Sequence, residues 1–184
     1  MEESSRLAFG STRADGKKLH LPPKCAILDG IFLEGENEME LKIKPFAELT
    51  KRELYEILRL RMEAFVVEQG GRYQDLDGID YDSIHIFAEN EAGEVIGCVR
   101  IFRKPDEPGT VQVGRLAAKD RLTGLGRCLM ETAREEAKKQ LGAKRLYLTG
   151  RASAYGFYRK CGYSVAPGDE LPEGTPYYIL RREA

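Results

Sequence analysis

The feature that most limits the fold of this chain is a strand-like run, Val111 to Ala118, feeding a glycine turn and then a long amphipathic stretch. In that stretch Leu125, Leu129, Met130, Ala133, Ala137 and Leu141 recur at helical spacing, and Gly142 supplies a stop. A strand followed so closely by a helix must pack that helix back onto its own sheet, which points to a layered α/β domain. The turn itself reads Arg121-Leu122-Thr123-Gly124-Leu125-Gly126. Glycine lacks the Cβ that would hold a bulky anion away from the backbone. The helix behind it offers unpaired N–H groups and the positive end of its dipole, which suits a pyrophosphate. Arg127 stands just inside that helix. A plain strand-to-helix turn would use the same residues. No Gly-Lys-Ser/Thr follows, so this is not a P-loop, and Leu129 stands where a dinucleotide fingerprint needs its third glycine.

The rest of the chain supplies the layers. Leu41 to Phe46 alternates like a strand. Thr50-Lys51-Arg52-Glu53 has the form of a capping box, in which hydroxyl and carboxylate each satisfy a backbone N–H. Leu54, Ile57, Leu58, Met62 and Phe65 then mark one apolar helical face. A polar loop passes through Gly70-Gly71 and Asp75-Leu76-Asp77-Gly78. Ile84 to Ala88 and Val95 to Phe102 read as a hairpin turning at Asn90-Glu91-Ala92-Gly93, with Val111 to Ala117 the third strand. Leu146 to Leu148 is a short buried strand, Ala152 to Cys161 a last helix, and Tyr177 to Arg181 a closing strand. The expected domain is α/β (α+β) with a mixed sheet and flanking helices, over residues 39–184. Residues 1–38 mix Ser, Gly, Lys and Glu around Leu21-Pro22-Pro23. They read as a loosely ordered or partly docked extension, or a vector-derived leader, ahead of a domain start at Met39. Cys25 to Leu33 could add an edge strand.

With 184 residues the chain has room for one domain with a sizeable core. A net charge of −1 advertises neither nucleic acid nor a membrane surface. No apolar run approaches transmembrane length. Cys25, Cys98, Cys128 and Cys161 show no C-x-x-C spacing, so neither zinc nor a redox pair is expected, and a reduced cytoplasmic setting is the economical reading. Asp75-x-Asp77-Gly78-x-Asp80 has a faint likeness to a calcium loop, but the glycine is misplaced and no terminal glutamate follows, so no metal is expected. His20 and His85 form no constellation. Cys161 has no imidazole near it in sequence, which argues against a covalent thiol route.

Two further motifs change the weight of the glycine turn. One is Phe157-Tyr158-Arg159-Lys160-Cys161-Gly162-Tyr163; the other runs from Leu58-Arg59-Leu60-Arg61-Met62-Glu63-Ala64-Phe65 through Glu68-Gln69 to Tyr73-Gln74-Asp75-Leu76-Asp77-Gly78-Ile79-Asp80. Taken in order with Arg121-x-x-Gly124-x-Gly126, they resemble the GNAT superfamily of acetyl-CoA-dependent N-acetyltransferases, and its ElaA-type branch in particular. The likeness runs from about Met39 to Ile179.

The resemblance implies a mostly antiparallel sheet whose two central parallel strands, Val111–Ala117 and Arg145–Thr149, splay to admit the pantetheine arm of acetyl-CoA. Backbone groups of Leu116, Ala117 and Ala118 would pair with pantetheine amides as an added strand does. A backbone N–H there, that of Leu116 first, would hold the thioester oxyanion. The pyrophosphate would rest on Arg121, Leu122, Thr123, Gly124, Leu125, Gly126 and Arg127. Tyr158 matches the family's general acid; alternatively it is a core aromatic whose hydroxyl finds a backbone partner. For the base, Glu68 comes first, because partial burial after Phe65-Val66-Val67 would raise its pKa. Asp75, Asp77 and Asp80 are rivals, water is another route, and each carboxylate could simply be a solvated loop residue. The acceptor would be a primary amine on a small molecule, peptide or protein, and a homodimer stays open. Only Lys119 and Asp120 separate Ala118 from Arg121, a shorter approach than the family usually has. Gly71-Arg72 replaces a usual Cys-Pro, Arg151 a glutamine and Tyr177 a histidine, so acceptor identity does not carry over. A catalytically inactive CoA-binding or interaction module is the alternative. A nucleotide-binding protein is weaker, for want of a phosphate lysine and a magnesium ligand.

Overall fold

The computed structural model describes residues 39–71, 74–119 and 123–184. The N-terminal extension, including Cys25 to Leu33, and Arg72, Tyr73, Asp120, Arg121 and Leu122 lie outside the described residues. Six strands form one sheet in sequence order: β1 (Met39–Pro45), β2 (Ile84–Asn90), β3 (Val95–Arg103), β4 (Thr110–Ala118), β5 (Arg145–Arg151) and β6 (Tyr177–Glu183). All neighbours are antiparallel except β4 and β5. Helix α1 (Lys51–Met62) links β1 to β2, α2 (Leu125–Leu141) makes the crossover from β4 to β5, and α3 (Tyr155–Lys160) follows β5. This is the mixed, mostly antiparallel sheet with flanking helices that the sequence predicts.

Helix α1 starts where the capping box places it. The Glu53 N–H donates to Thr50 Oγ1 at 3.2 Å and the Thr50 N–H donates to Glu53 Oε2 at 2.9 Å. Its buried face differs from the expected one. Glu53, Ile57, Leu60 and Arg61 are buried, whereas Leu58 is half-buried and Met62 is 42% exposed. The inward stripe is turned by about one residue, roughly 100° on a helix of 3.6 residues per turn. A π turn, Glu63–Val67, then extends α1 and buries Ala64 and Phe65. The last helix is also shorter than expected: Ala152–Ala154 is a 3-10 turn, and only Tyr155–Lys160 is α-helical.

The sheet carries a core on each face. Under α2 lie Ile86, Val99, Ile101, Val113, Leu146 and Leu180, with Leu129 and Met130 from the helix. Under α1 lie Phe87, Val95, Cys98 and Ala117, with Ile57, Leu60 and Phe65. Gly97 of β3 lets α2 come close, since a Cβ there would sit 2.8 Å from Leu125 Cδ2 and 3.0 Å from Leu129 Cδ1. The two faces also reveal a bulge. Cys98 pairs with Ala117 but Arg100 pairs with Gly114, so β4 carries one residue more than β3 over that span. Side chains alternate along a strand, so an extra residue turns everything beyond it over. Val111 and Val113 face α2, yet Ala117, at the same parity, lies in the α1 core.

One end of the β4–β5 junction is clamped. The Gly109 carbonyl accepts from the Lys144 N–H at 2.9 Å and the Arg145 N–H at 3.2 Å. Arg181 of β6 reaches across to Glu107 with Nη1–Oε2 at 2.6 Å, while its Nε donates to Asp169 at 2.5 Å.

Candidate active site

Strands β4 and β5 pair only through Thr110–Arg145, Val111–Leu146 and Gln112–Tyr147. Beyond Gln112 and Tyr147 the ladder stops although both strands continue, which opens a gap in the sheet. Leu116, Ala117 and Ala118 line the β4 side beyond the bulge, and Leu148 to Arg151 continue the β5 side. The bulge centres on Arg115, whose φ of 57° makes it the non-glycine with positive φ among the described residues. This left-handed conformation costs an ordinary residue about 1–2 kcal/mol, so something must hold it.

At the gap's end, α2 begins. Gly124 is its N-cap with φ 84°, a conformation that asks for glycine whatever the turn binds. Gly124 has no side chain with which to cap the helix; the Leu125 N–H reaches Thr123 Oγ1 at 3.5 Å, and the Arg127 N–H turns back to the Gly124 carbonyl oxygen at 3.1 Å. Gly126 is different. Its φ is not positive, and a Cβ there would meet only Phe157, at an ordinary 3.5 Å. Packing among the described residues does not require glycine at 126. Next to this helix start, Arg127, Met130, Glu131, Lys160, Cys161, Gly162 and Arg182 line a shallow cleft. Three of these are cations against one carboxylate, so the cleft favours an anion. Lys160 and Arg182 escape sequence reasoning because the fold alone brings α3 and β6 to α2.

Tyr158 lies on the other wall. Its ring rests on β5 at Gly150, where a Cβ would overlap Tyr158 Cε2 and sit 2.9 Å from Cδ2. Phe157 and Tyr163 pack edge-on at 5.3 and 6.4 Å. Burial pushes the Tyr158 phenol up to about 12, so it keeps its proton at neutral pH. Its hydroxyl has no hydrogen-bond partner among the described residues. Gly150→Ala is therefore expected to displace the ring and destabilise the fold by about 1–3 kcal/mol, the usual range for overpacking. Urea unfolding measures this, and a variant as stable as the parent would show that Tyr158 is free to move.

The carboxylates divide. Glu68 is exposed, as is Val67 at 69%, so the expected partial burial does not hold. Its neighbour Gln69 accepts from Arg151 Nη1 at 2.9 Å, which ties this turn to the end of β5. Side chains alternate, so Arg151 points to the face opposite the one on which Tyr158 covers Gly150. The rivals Asp75, Asp77 and Asp80 are committed elsewhere, in a closed ring with three arginines. Arg61 donates to Asp75 Oδ2 at 2.8 Å and to Asp80 Oδ1 at 2.7 Å. Arg100 joins Asp80 at 2.9 Å to Asp77 at 2.9 Å. Arg115 joins Asp77 Oδ2 at 3.0 Å to Asp75, whose Oδ1 lies 2.6 Å from Arg115 Nε but off the hydrogen-bonding line. Burial pushes the Asp77 and Asp80 carboxyls up, yet hydrogen bonds from these arginines hold both below the usual carboxylate range. Such groups are poor bases and, facing guanidinium groups, poor cation ligands. His85 is buried beside them, its Nε2 3.2 Å from the Asp80 carbonyl oxygen, and desolvation lowers its pKa. Burial also pushes the thiols of Cys98, to about 12, and Cys161 upward, which makes them weak nucleophiles.

Comparison with known proteins agrees with this geometry. The model of the acetyltransferase (GNAT) family matches residues 51–163. A UPF0039 protein of Schizosaccharomyces pombe is 31% identical over 150 residues, 80% of this chain and 99% of the relative. Protein ElaA of Escherichia coli is 32% identical over 142 residues, 74% and 92% of the two chains. The crystal structure of E. coli ElaA superposes with a TM-score of 0.70 over 79% of this chain and 99% of that one. An acyl-CoA N-acyltransferase from Pseudomonas aeruginosa, 32% identical, gives 0.69 over 78% and 99%. A divided parallel pair beside a glycine-led helix start, on a chain matched across most of its length, makes this protein a member of the GNAT acetyltransferase family.

Proposed function

We propose that the protein is an N-acetyltransferase that moves the acetyl group of acetyl-CoA to a primary amine by direct attack in a ternary complex. The observation that carries this reading is the gap between β4 and β5, with the bulged backbone on one wall and the Tyr158 phenol on the other. Backbone of Leu116, Ala117 and Ala118 would pair with the pantetheine amides. The helix start from Thr123 to Arg127, with Arg121 and Leu122 before it, would take the pyrophosphate. The basic cleft of Arg127, Lys160 and Arg182 suits a further phosphate of the same ligand.

The acceptor arrives as an ammonium, because an alkylamine has a pKa near ~10. It loses one proton, to water or through water to Glu68, whose exposure suits relay better than direct contact. The free amine attacks the thioester carbon, and the oxyanion forms against the Leu116 N–H. The attached nitrogen sheds its second proton to water, and collapse breaks the C–S bond. The departing sulfur takes a proton from Tyr158, leaving an amide and free CoA thiol once the phenol is reprotonated from solvent. Burial makes Tyr158 a weaker acid than a phenol in water, so transfer is favourable only while negative charge accumulates on the sulfur beside it.

Calorimetric titration with acetyl-CoA, followed by an amine screen that reads released thiol, tests the proposal. Saturable binding with amine-dependent thiol release is expected. Absence of acetyl-CoA binding would remove the donor assignment, and binding without turnover for any amine would favour an inactive CoA-binding module.

A further inference from the structure

We propose that the ring of Arg61, Asp75, Arg115, Asp77, Arg100 and Asp80 is a positioning device, which holds Arg115 in its left-handed conformation and so keeps the Leu116 N–H turned into the β4–β5 gap. The inference rests on the acetyl-transfer reading for the job of that N–H, but not for the mechanics.

Three observations meet at Arg115. Its backbone has φ 57° at the one-residue bulge where β4 turns over. A bulge that places its first residue in the left-handed region ordinarily uses glycine there. Arginine supplies what glycine cannot, a side chain that can be anchored. Its guanidinium donates from Nη2 to the Asp75 carbonyl oxygen and to Asp77 Oδ2, both at 3.0 Å. The two aspartates are themselves immobilised by Arg61, which reaches in from α1 and is 1% exposed, and by Arg100 on the neighbouring strand, 3% exposed. Each arginine bridges two aspartates and each aspartate two arginines, so no member can rotate without breaking two contacts.

Stability is a poor reason for such a ring. Buried ion pairs gain little over apolar side chains of the same volume, because desolvation offsets the attraction between charges. What they provide is directional geometry. Here the geometry ends on the residue preceding the proposed oxyanion donor, and Cys98 Sγ donates to the Arg115 carbonyl oxygen at 3.7 Å. The loop of residues 75–80 is thereby fastened to α1, β3 and the bulge together.

The test compares Arg115→Ala, Arg115→Gly and Asp77→Asn by amide nuclear magnetic resonance and by steady-state kinetics. Glycine adopts a positive φ unaided, whereas alanine does not. In Arg115→Ala and Asp77→Asn, the Leu116 and Ala117 amide signals are expected to shift or broaden while those of β1 and β2 stay in place. In Arg115→Gly they should remain near their parental positions. With acetyl-CoA as donor, kcat should fall about tenfold in the first two variants, as loss of the left-handed geometry implies. KM for acetyl-CoA should hardly change, and Arg115→Gly should keep most of the parental kcat. Asp77 is partly exposed and its substitution is isosteric, so a folding failure in Arg115→Ala does not end the comparison. Unmoved Leu116 signals in Arg115→Ala and Asp77→Asn, or equal disturbance in the alanine and glycine variants, would overturn the proposal and leave the ring as a loop staple. If the parent protein shows no turnover, the acetyl-transfer reading fails while the amide signals still decide the role of the ring.

Discussion

Tyr158→Phe is expected to slow acetyl transfer by roughly 10²- to 10⁴-fold, the range for loss of a positioned general acid. The Kd for acetyl-CoA should stay within about twofold, since phenylalanine retains the face that covers Gly150 and the two edge contacts. The removed hydroxyl bonds to nothing among the described residues, so its loss leaves no orphaned partner and costs the fold little. This separates the two readings of the residue. A core aromatic would give a variant with unchanged turnover; an acid gives one that binds donor normally and releases thiol slowly. Single-turnover measurement of thiol release distinguishes them. Because burial pushes the phenol up to about 12, no loss of rate from its ionisation is expected below that region.

Arg61→Met should destabilise the protein by about 3–5 kcal/mol, the range for removing one partner of a buried ion pair. Methionine fills much of the same volume, so the loss reflects the four hydrogen bonds that Arg61 donates to Asp75 and Asp80 more than a cavity. The effect carries a pH signature. Asp77 and Asp80 are held below the ordinary aspartate value near ~3.9, so their contribution is fully present above it and fades as pH falls through their folded values. In Arg61→Met, burial acts on Asp80 with one opposing arginine fewer. Its carboxyl then takes up a proton at higher pH, and the acid limb of the stability curve moves upward. Urea titrations from pH 3 to pH 8 would show this; parallel curves for parent and variant would mean that Arg61 and Asp80 are not coupled.

Much of the architecture is legible in the sequence because local chemistry and global fold agree there. Thr50 and Glu53 announce a helix start, Gly142 its end on α2, and two-residue alternation marks the strands. The failures share a cause. Hydrophobic periodicity assigns charged residues to the surface, so Arg61 reads as solvent-facing and Met62 as core, when the partners that reverse this, Asp75 and Asp80, come from a distant loop. Arg115 gives no local sign of its conformation, since glycine is the residue that normally betrays a left-handed site. Glu68 follows an apolar run, but the π turn carries Val67 and Glu68 outward. Tyr158 and the glycine turn were legible through motif resemblance; the reason for Gly150 beneath the phenol was not, because it is a contact between β5 and α3.

The clamped end of the β4–β5 junction has a mechanical consequence. Three rungs at one end, reinforced by Gly109 and by Arg181 on Glu107, make the sheet two plates on a common hinge: four strands on one side, the β5–β6 ribbon on the other. A load at the free end acts with a lever arm several residues long, while the hinge resists it with few bonds. Any extended molecule lying in the gap acts as a strut between the plates, so the stiffness of the whole sheet depends on what occupies it.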